Sequence, residues 1–119
     1  MRNTLRITSL SIVLATGTLP SCAPESDPGV RIWRKKCASC HGADGTGRTR
    51  FAEGRPFADL TDGRWKRGSD RASLRRLVAD GDPASTMPPF AGRLTPEEID
   101  AVVDHALRLA APGSKGAKP

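Results

Sequence analysis

Hydrophobic residues recur at helical spacing in three separate stretches of the chain. The first has Val30, Trp33 and Cys37 at positions i, i+3 and i+7, which places them on one face of a helix. Asp27 precedes this stretch as an N-cap, and Pro28 occupies the position that helices favour for proline. We therefore predict a first helix that starts at Asp27. Its solvent-facing side carries four basic residues: Arg31, Arg34, Lys35 and Lys36.

The other two hydrophobic stretches predict helices nearer the C-terminus. Ser69 or Asp70 caps the second helix, and Gly81 ends it. The third begins with a capping box, in which Thr95 is the N-cap and Glu98 the third helical residue. The apolar face of the second helix comprises Leu74, Leu77 and Val78, and that of the third, which Pro112 stops, comprises Ile99, Val102, Val103, Ala106 and Leu107.

Loops of distinctive composition connect these helices. Residues 42–56 contain Gly42, Gly45, Gly47 and Gly54, and glycines let a backbone pass close to a flat surface. These glycines are not a phosphate-binding loop, because no Gly-Lys-Ser/Thr follows them. No stretch has the alternation of a β-strand, so the sequence predicts an all-α fold with essentially no sheet.

The N-terminal stretch is typical of a secretory signal. Arg2 and Arg6 precede an apolar run over 10–19, which is too short to be a permanent transmembrane helix. We predict a signal peptide over 1–21, a tether over 22–28, one domain over 29–111 and a disordered tail over 112–119. Such a protein is exported to an oxidising, extracytoplasmic compartment such as the periplasm.

Two cleavage sites are compatible with this signal. The residues Leu19-Pro20-Ser21-Cys22 resemble the lipobox of bacterial lipoproteins, in which the cysteine is lipidated and becomes the first mature residue. Cleavage after Ala23 would instead discard Cys22. We favour a lipid anchor at Cys22, because it explains a third cysteine separated from the rest by a polar tether.

Composition favours a small domain with a large apolar cofactor. The chain has 119 residues with no Tyr, three Phe and two Trp, and so short a chain buries only a modest core of its own. Its formal net charge of +6 suits acidic partners or anionic lipid. Nucleic acid is not an expected partner of an exported protein.

The motif Cys37-Ala38-Ser39-Cys40-His41 is the attachment pattern for c-type haem. Each cysteine thiol adds to one vinyl group of the porphyrin, and the histidine then becomes an axial iron ligand. Two alternatives fit less well. A thioredoxin-like redox pair needs a βαβ setting, and a zinc site needs four ligands, for which only Cys22 and His105 remain.

Met87 is the candidate for the second axial ligand. It is the only methionine besides the initiator, and Pro88 and Pro89 after it stiffen the loop that presents its thioether. The alternatives are a methionine that fills a core gap and ligation by His105 instead. His105 lies well inside the last helix, and this position favours packing.

The order of helix, Cys-x-x-Cys-His-Gly, glycine loop, Met-Pro loop and final amphipathic helix resembles class I mono-haem cytochrome c, in a bacterial exported or lipoprotein form. The resemblance covers residues 29–109 and implies the cytochrome c fold around one covalent haem c. It places Gly29 where the first and last helices cross. The family has an aromatic residue where this chain has His105, for which Trp33 is expected to compensate.

The resemblance also implies further contacts of the haem. A proline carbonyl after the glycine loop accepts the other N–H of the ligand histidine in this family, and Pro56 is the matching residue. Such a contact orients the imidazole and raises its basicity. Trp65 and Arg67 lie where the family holds the haem propionates.

These observations predict an electron carrier rather than an enzyme. With His41 and Met87 both bound, the iron has no open site and cycles between Fe(III) and Fe(II). Basic residues near the attachment motif, Arg34, Lys35 and Lys36, would steer an acidic redox partner. One alternative is a haem enzyme or gas sensor with a labile Met87 ligand. Another is a cytochrome subunit docked on an oxidase or dehydrogenase.

Overall fold

The computed structural model describes residues 27–65 and 67–111, and every regular element in these two ranges is helical. Two isolated β-bridges, between Asp82 and Met87 and between Ala91 and Leu94, are the only strand-like pairings there. The predicted all-α class is confirmed. No helix in this part of the chain has the length and apolar character needed to cross a bilayer. The predicted signal peptide, most of the tether with Cys22, and the predicted tail lie outside the described residues.

The N-terminal helical segment has a change of pitch in its middle. Helix α1 (Pro28–Ile32) continues into a π-helical turn (Trp33–Cys37) and then into α2 (Ala38–His41). The Asp27 carboxylate accepts hydrogen bonds from the N–H groups of Gly29 at 2.8 Å and Val30 at 3.3 Å, so the predicted N-cap is confirmed. Widened π-helical turns occur mostly at functional sites, and this one ends at the attachment motif.

The buried face of the N-terminal helical segment differs from the predicted one. Ile32 and Trp33 are both buried, whereas Val30 and Cys37 are only partly buried. A strict α-helical period predicted Val30, Trp33 and Cys37 as one face and overlooked Ile32. Gly29, Ile32 and Trp33 lie at i, i+3 and i+4, which is also α-helical spacing, and all three are buried. The buried face is therefore offset from the predicted one.

Helix α3 (Arg71–Asp80) has the predicted ends. Of the two candidate caps, Asp70 takes the role, and its carboxylate accepts a hydrogen bond from the Ser73 N–H at 2.9 Å. Gly81 ends the helix with a φ of +72°. Leu74 is buried, while the other two residues of the predicted apolar face, Leu77 and Val78, are half-buried.

Helix α4 (Pro96–Ala110) starts with the predicted capping box. The Thr95 N–H donates to the Glu98 carboxylate at 2.9 Å, and the Glu98 N–H donates to the Thr95 hydroxyl at 3.2 Å. Four of its five predicted core residues are buried, and Leu107 is half-buried. The four are Ile99, Val102, Val103 and Ala106.

Helix α4 contributes to both hydrophobic clusters of the described residues. Its Val102 and Ala106 pack with Ile32 and Trp33 of the N-terminal segment. On its other side, Ile99 and Val103 pack with Leu74 of α3. Helix α4 therefore packs against both the N-terminal segment and α3.

Gly29 lies where α1 crosses α4, as the resemblance implied. A Cβ atom at Gly29 would overlap the backbone carbonyl of Ala101 on α4, so the two helices approach closely only because residue 29 is glycine. Beside this crossing, the His105 ring packs edge-on against Trp33, with ring centroids 5.3 Å apart. His105 therefore fills the expected aromatic position by packing against Trp33.

Candidate haem-binding site

The attachment motif occupies the end of the N-terminal helical segment. Cys37, Cys40 and His41 are offset by three and four residues in continuous helical backbone, so their side chains share one face. Neither cysteine is in a disulfide, and Cys40 is exposed. Burial, together with the nearby Cys40, raises the pKa of the Cys37 thiol to about 11. Its protonated form therefore predominates at neutral pH.

The imidazole of His41 is oriented by a backbone carbonyl. Its Nδ1 atom lies 2.9 Å from the Ala58 carbonyl oxygen. A carbonyl only accepts hydrogen bonds, so Nδ1 carries the proton and Nε2 retains the lone pair that binds a metal. This arrangement is the one found around metal-ligating histidines.

The carbonyl that contacts His41 is not the predicted one. Pro56 starts a 3-10 turn (Pro56–Ala58), and its carbonyl oxygen accepts the Asp59 N–H at 3.4 Å within that turn. The Ala58 carbonyl, at the end of the same turn, is directed to His41 instead. The prediction that Pro56 accepts the histidine N–H was therefore wrong by two residues.

Gly47 connects the attachment motif to the segment that carries Ala58. Its N–H donates to the His41 carbonyl oxygen at 2.7 Å. A Cβ atom at Gly47 would lie 2.7 Å from the Ala58 carbonyl carbon, and its φ is +68°. Both facts require glycine here. The glycine loop was predicted to approach a flat cofactor, and at Gly47 it also approaches backbone.

Trp33 contacts the residue that directly follows the attachment motif. Its indole N–H donates to the Gly42 carbonyl oxygen at 3.0 Å, and the side chain is 3% exposed. The ring centroids of Trp33 and His41 are 5.8 Å apart. Gly42, the residue after His41, is thus tied to the hydrophobic core. The sequence placed Trp33 on the helix but gave no sign of this hydrogen bond.

The loop that carries Met87 is pinned to the C-terminal end of α3. The N–H groups of Phe90 and Ala91 donate to the carbonyls of Val78 and Ala79, each at 3.0 Å. A Cβ atom at Gly81 would lie 2.7 Å from the Met87 carbonyl oxygen. Met87 itself is half-buried. Its backbone is therefore held firmly, and its role as iron ligand remains a prediction.

Trp65 and Arg67, which were predicted to contact the haem propionates, both have partners within the protein. The Trp65 indole N–H donates to the Leu60 carbonyl oxygen at 3.1 Å. The Arg67 guanidinium forms an ion pair with Asp82, with Nη2 and Oδ1 2.7 Å apart. Neither contact was expected from the sequence. That of Trp65 lies within one loop, and that of Arg67 joins residues 15 positions apart. Contact of Trp65 and Arg67 with haem propionates stays a prediction.

Basic residues line a groove beside the N-terminal segment. The groove has a volume of about 250 Å³. Ile32 and Leu94 are its apolar lining residues, and Glu98 is its one acidic lining residue. Arg93 comes from the loop before α4 and was not among the basic residues singled out in the sequence. The basic lining residues are Arg31, Lys35, Lys36 and Arg93.

The donor set fits haem better than zinc. Among the described residues, no three His, Cys, Asp or Glu side chains cluster as ligands of a metal ion. Two thiols and one imidazole do share a helical face, and the Nε2 atom of His41 is left with its lone pair. These are the groups needed to attach a porphyrin and bind its iron.

Comparison with protein families identifies the chain. Residues 24–105 match the family model described as cytochrome c oxidase, cbb3-type, subunit III. The chain belongs to this family of c-type cytochrome domains. Haem c is the cofactor of such domains, and the cytochrome c resemblance drawn from the motifs is confirmed.

Curated relatives of this cytochrome domain are longer proteins. One is the cbb3-type cytochrome c oxidase subunit FixP of Azorhizobium caulinodans, 32% identical over 79% of this chain and 30% of the relative. The FixP subunit of Bradyrhizobium diazoefficiens is 39% identical over 68% of this chain and 26% of the relative. The chain thus spans less than a third of the length of these relatives.

Solved structures with the same fold include single-domain cytochromes. The KustC0563 c-type cytochrome is 29% identical with a TM-score of 0.60, and the match covers 70% of this chain and 98% of that one. Cytochrome c6 of the diatom Phaeodactylum tricornutum is 31% identical with a TM-score of 0.56, covering 70% and 91%. The predicted all-α cytochrome c fold is therefore confirmed.

Proposed function

We propose that this cytochrome domain transfers single electrons through one haem c, which is attached through Cys37 and Cys40 and has His41 and Met87 as axial ligands. The observation that carries the proposal is the 2.9 Å contact between His41 Nδ1 and the Ala58 carbonyl. It leaves Nε2 as the ligand atom and fixes the plane of the imidazole. The bound haem would supply the Fe(III)/Fe(II) couple.

The residues around the motif would keep that geometry constant between oxidation states. Gly47 and Trp33 hold His41 and Gly42 through hydrogen bonds to their carbonyl oxygens. The Met87 loop is separately pinned to α3. A site held in this way needs little rearrangement when its charge changes, which favours electron transfer.

The surroundings of Met87 favour a carrier over the alternative of a haem enzyme or gas sensor. Asp82 is the buried acidic residue of this loop. Its carboxylate accepts hydrogen bonds from the Arg67 guanidinium and the Ala84 N–H. Its carboxylate is therefore occupied and unsuited to general acid–base work on a substrate. With a sulfur ligand in place, iron would have no open position for peroxide, oxygen or nitric oxide.

An acidic redox protein is the partner that fits the basic groove. Lys35 and Lys36 directly precede Cys37, so a partner bound there would be near the attached edge of the porphyrin. Opposite charges raise association rates, and added salt reduces them. The relatives are named as oxidase subunits, which supports the alternative of a subunit docked on an oxidase over a free shuttle.

The proposed location is the periplasmic side of a bacterial membrane, with a lipid anchor at Cys22. The support is the basic and apolar leader and the lipobox-like residues before Cys22. Thioether attachment of haem is also carried out on exported chains. The residues concerned lie outside the part of the chain that the structure describes.

Intact mass of protein matured in a host that attaches haem c tests these proposals together. The expected mass is that of the chain from Cys22 with one haem and one lipid modification. A mass without haem, or pigment released into acidified organic solvent, would refute covalent attachment. The mass of a chain that begins at Pro24, after cleavage behind Ala23, would refute only the anchor.

Carbon monoxide added to the reduced holoprotein separates the carrier from the sensor. We expect slow and incomplete binding, because Met87 occupies the sixth position. Fast and complete binding by the unmodified protein would favour the gas-binding alternative.

A further inference from the structure

Among the described residues, Asp82 is the charged residue that is buried, with 5% of its surface exposed. It lies at the start of the Met87 loop, and its backbone N–H donates to the Met87 carbonyl oxygen at 3.0 Å. Its carboxylate oxygen Oδ1 accepts hydrogen bonds from Arg67 Nη2 at 2.7 Å and from the Ala84 N–H at 3.2 Å. One residue thus joins the Met87 backbone to a cation from a different segment.

The Arg67–Asp82 ion pair differs from the other ion pairs of the described residues. Its carboxylate side chain is 6% exposed. The carboxylates of the other pairs are 35% to 47% exposed. A buried carboxylate is costly without a charged partner, whereas an exposed one contributes little. Loss of Arg67 should therefore change the position of Asp82, and with it the loop.

The loop between Asp82 and Met87 is under conformational strain. Residues 83–86 form a turn that the Asp82–Met87 bridge closes. Thr86 has a φ of +64°, a conformation that costs a residue other than glycine about 1 kcal/mol. The turn is retained because the Asp82–Met87 bridge closes it. If the Asp82–Met87 bridge is weakened, Thr86 relaxes to a conformation of lower energy and the next residue, Met87, moves.

We propose that Arg67 and Asp82 are positioning residues for Met87, and that their ion pair keeps its thioether directed at the iron. The proposal rests on the proposed ligation by Met87. Neither residue contacts the iron. The pair acts through the Asp82–Met87 backbone hydrogen bond and the turn that it closes. Removing either charge is expected to make Met87 dissociate more readily.

The resemblance to class I cytochromes implied a different role for Arg67, the binding of a haem propionate. The two roles make different predictions for Asp82. If Arg67 acts only on a propionate, the removal of the Asp82 charge leaves the iron–sulfur bond unchanged. If Arg67 acts through Asp82, substitution of either residue has the same effect, and the two substitutions together add nothing further.

The test uses the mature holoprotein with Asp82→Asn, Arg67→Gln and the double substitution. Two quantities report on Met87: the near-infrared charge-transfer band of the ferric iron–sulfur bond, and the affinity for added imidazole, which competes with the thioether. Each variant is expected to weaken the band and to bind imidazole about tenfold more tightly, a change that corresponds to about 1.4 kcal/mol. Arg71→Gln, which removes an exposed ion pair between α3 and α4, serves as the control and should bind imidazole as the wild type does.

Specific outcomes would overturn the proposal. Wild-type imidazole affinity in Arg67→Gln, which alters a side chain that is 53% exposed and should still fold, would refute it even if Asp82→Asn fails to fold. Effects of the two single substitutions that add in the double variant would also refute it. By contrast, a wild-type protein without the charge-transfer band would refute Met87 ligation itself, which is the proposed function rather than this inference.

Discussion

The Ala58 carbonyl oxygen lies 2.9 Å from Nδ1 of His41, although the two residues are 17 positions apart in the chain. Gly47 makes this approach possible, because its N–H binds the His41 carbonyl while its Cα lies against the Ala58 backbone. His41 is therefore held by two loop backbones. Substitution of Gly47 tests this arrangement without altering either partner.

Gly47→Ala should destabilise the domain and disturb the histidine. The added Cβ would lie 2.7 Å from the Ala58 carbonyl carbon at a φ of +68°. We expect a loss of about 2–4 kcal/mol in the free energy of unfolding, measured by denaturant titration, and a shifted reduction potential.

Gly54→Ala is the matched control for this prediction. Gly54 has a similar φ of +73°, but nothing lies within 4 Å of a Cβ there. Only the backbone strain remains, about 1 kcal/mol, and the potential should not change. Equal effects of the two substitutions would show that the contact with Ala58 is unimportant.

Trp33→Phe should remove the tie between the core and the end of the attachment motif. The Gly42 carbonyl loses its hydrogen bond from a side chain that is 3% exposed. We expect a loss of about 2 kcal/mol in the free energy of unfolding. Trp65→Phe removes a comparable indole hydrogen bond, to the Leu60 carbonyl, in a less buried place and should cost less. The reverse order would contradict the role given to Trp33.

Met87→Ala should leave haem covalently attached but remove one axial ligand of its iron. We expect a lower reduction potential and rapid binding of carbon monoxide to the reduced protein. Potentiometric titration and absorption spectroscopy measure both effects. An unchanged absorption spectrum would exclude Met87 as the ligand.

His105→Phe distinguishes the rival ligand from Met87. The His105 ring packs edge-on against Trp33, and phenylalanine retains that aromatic contact. We expect the potential and the spectrum to remain those of the wild type. A change as large as that expected for Met87→Ala would instead indicate that His105 is the axial ligand.

Asp27→Asn should affect stability in a pH-dependent way. Burial raises the pKa of the Asp27 carboxyl, but hydrogen bonds from the N–H groups of Val30 and Gly29, with the Arg108 charge, lower it more. The pKa is thus below its ordinary value of 3.8. A carboxyl whose pKa is lowered by folding stabilises the protein above its ordinary pKa, and this contribution disappears as the pH falls through the lowered value.

Thermal unfolding midpoints across a pH series measure this effect. Asparagine is also a good N-cap, so the substitution removes the charge and keeps the cap. The wild type should unfold at a higher temperature than Asp27→Asn at neutral pH. The difference should disappear as the pH falls through the lowered pKa, and a difference that stays constant across the series would contradict a role for the carboxylate charge.

The sequence alone determined what is encoded locally. The attachment motif, the Asp27 cap, the capping box of Thr95 and Glu98, and the end of α3 at Gly81 each depend on residues a few positions apart. Such features form from the backbone requirements of helix ends, whatever the rest of the fold does. They were sufficient to predict an all-α cytochrome c fold and its family.

Only the tertiary structure decided which distant groups meet. It placed the Ala58 carbonyl rather than that of Pro56 on His41, paired Arg67 with Asp82, and buried Ile32 beside Trp33 against α4. A carbonyl's direction depends on the turn that contains it, and an ion pair depends on where two loops are anchored. Neither leaves a period or a motif in the sequence, because both are set by how the loops pack on α3 and on the motif.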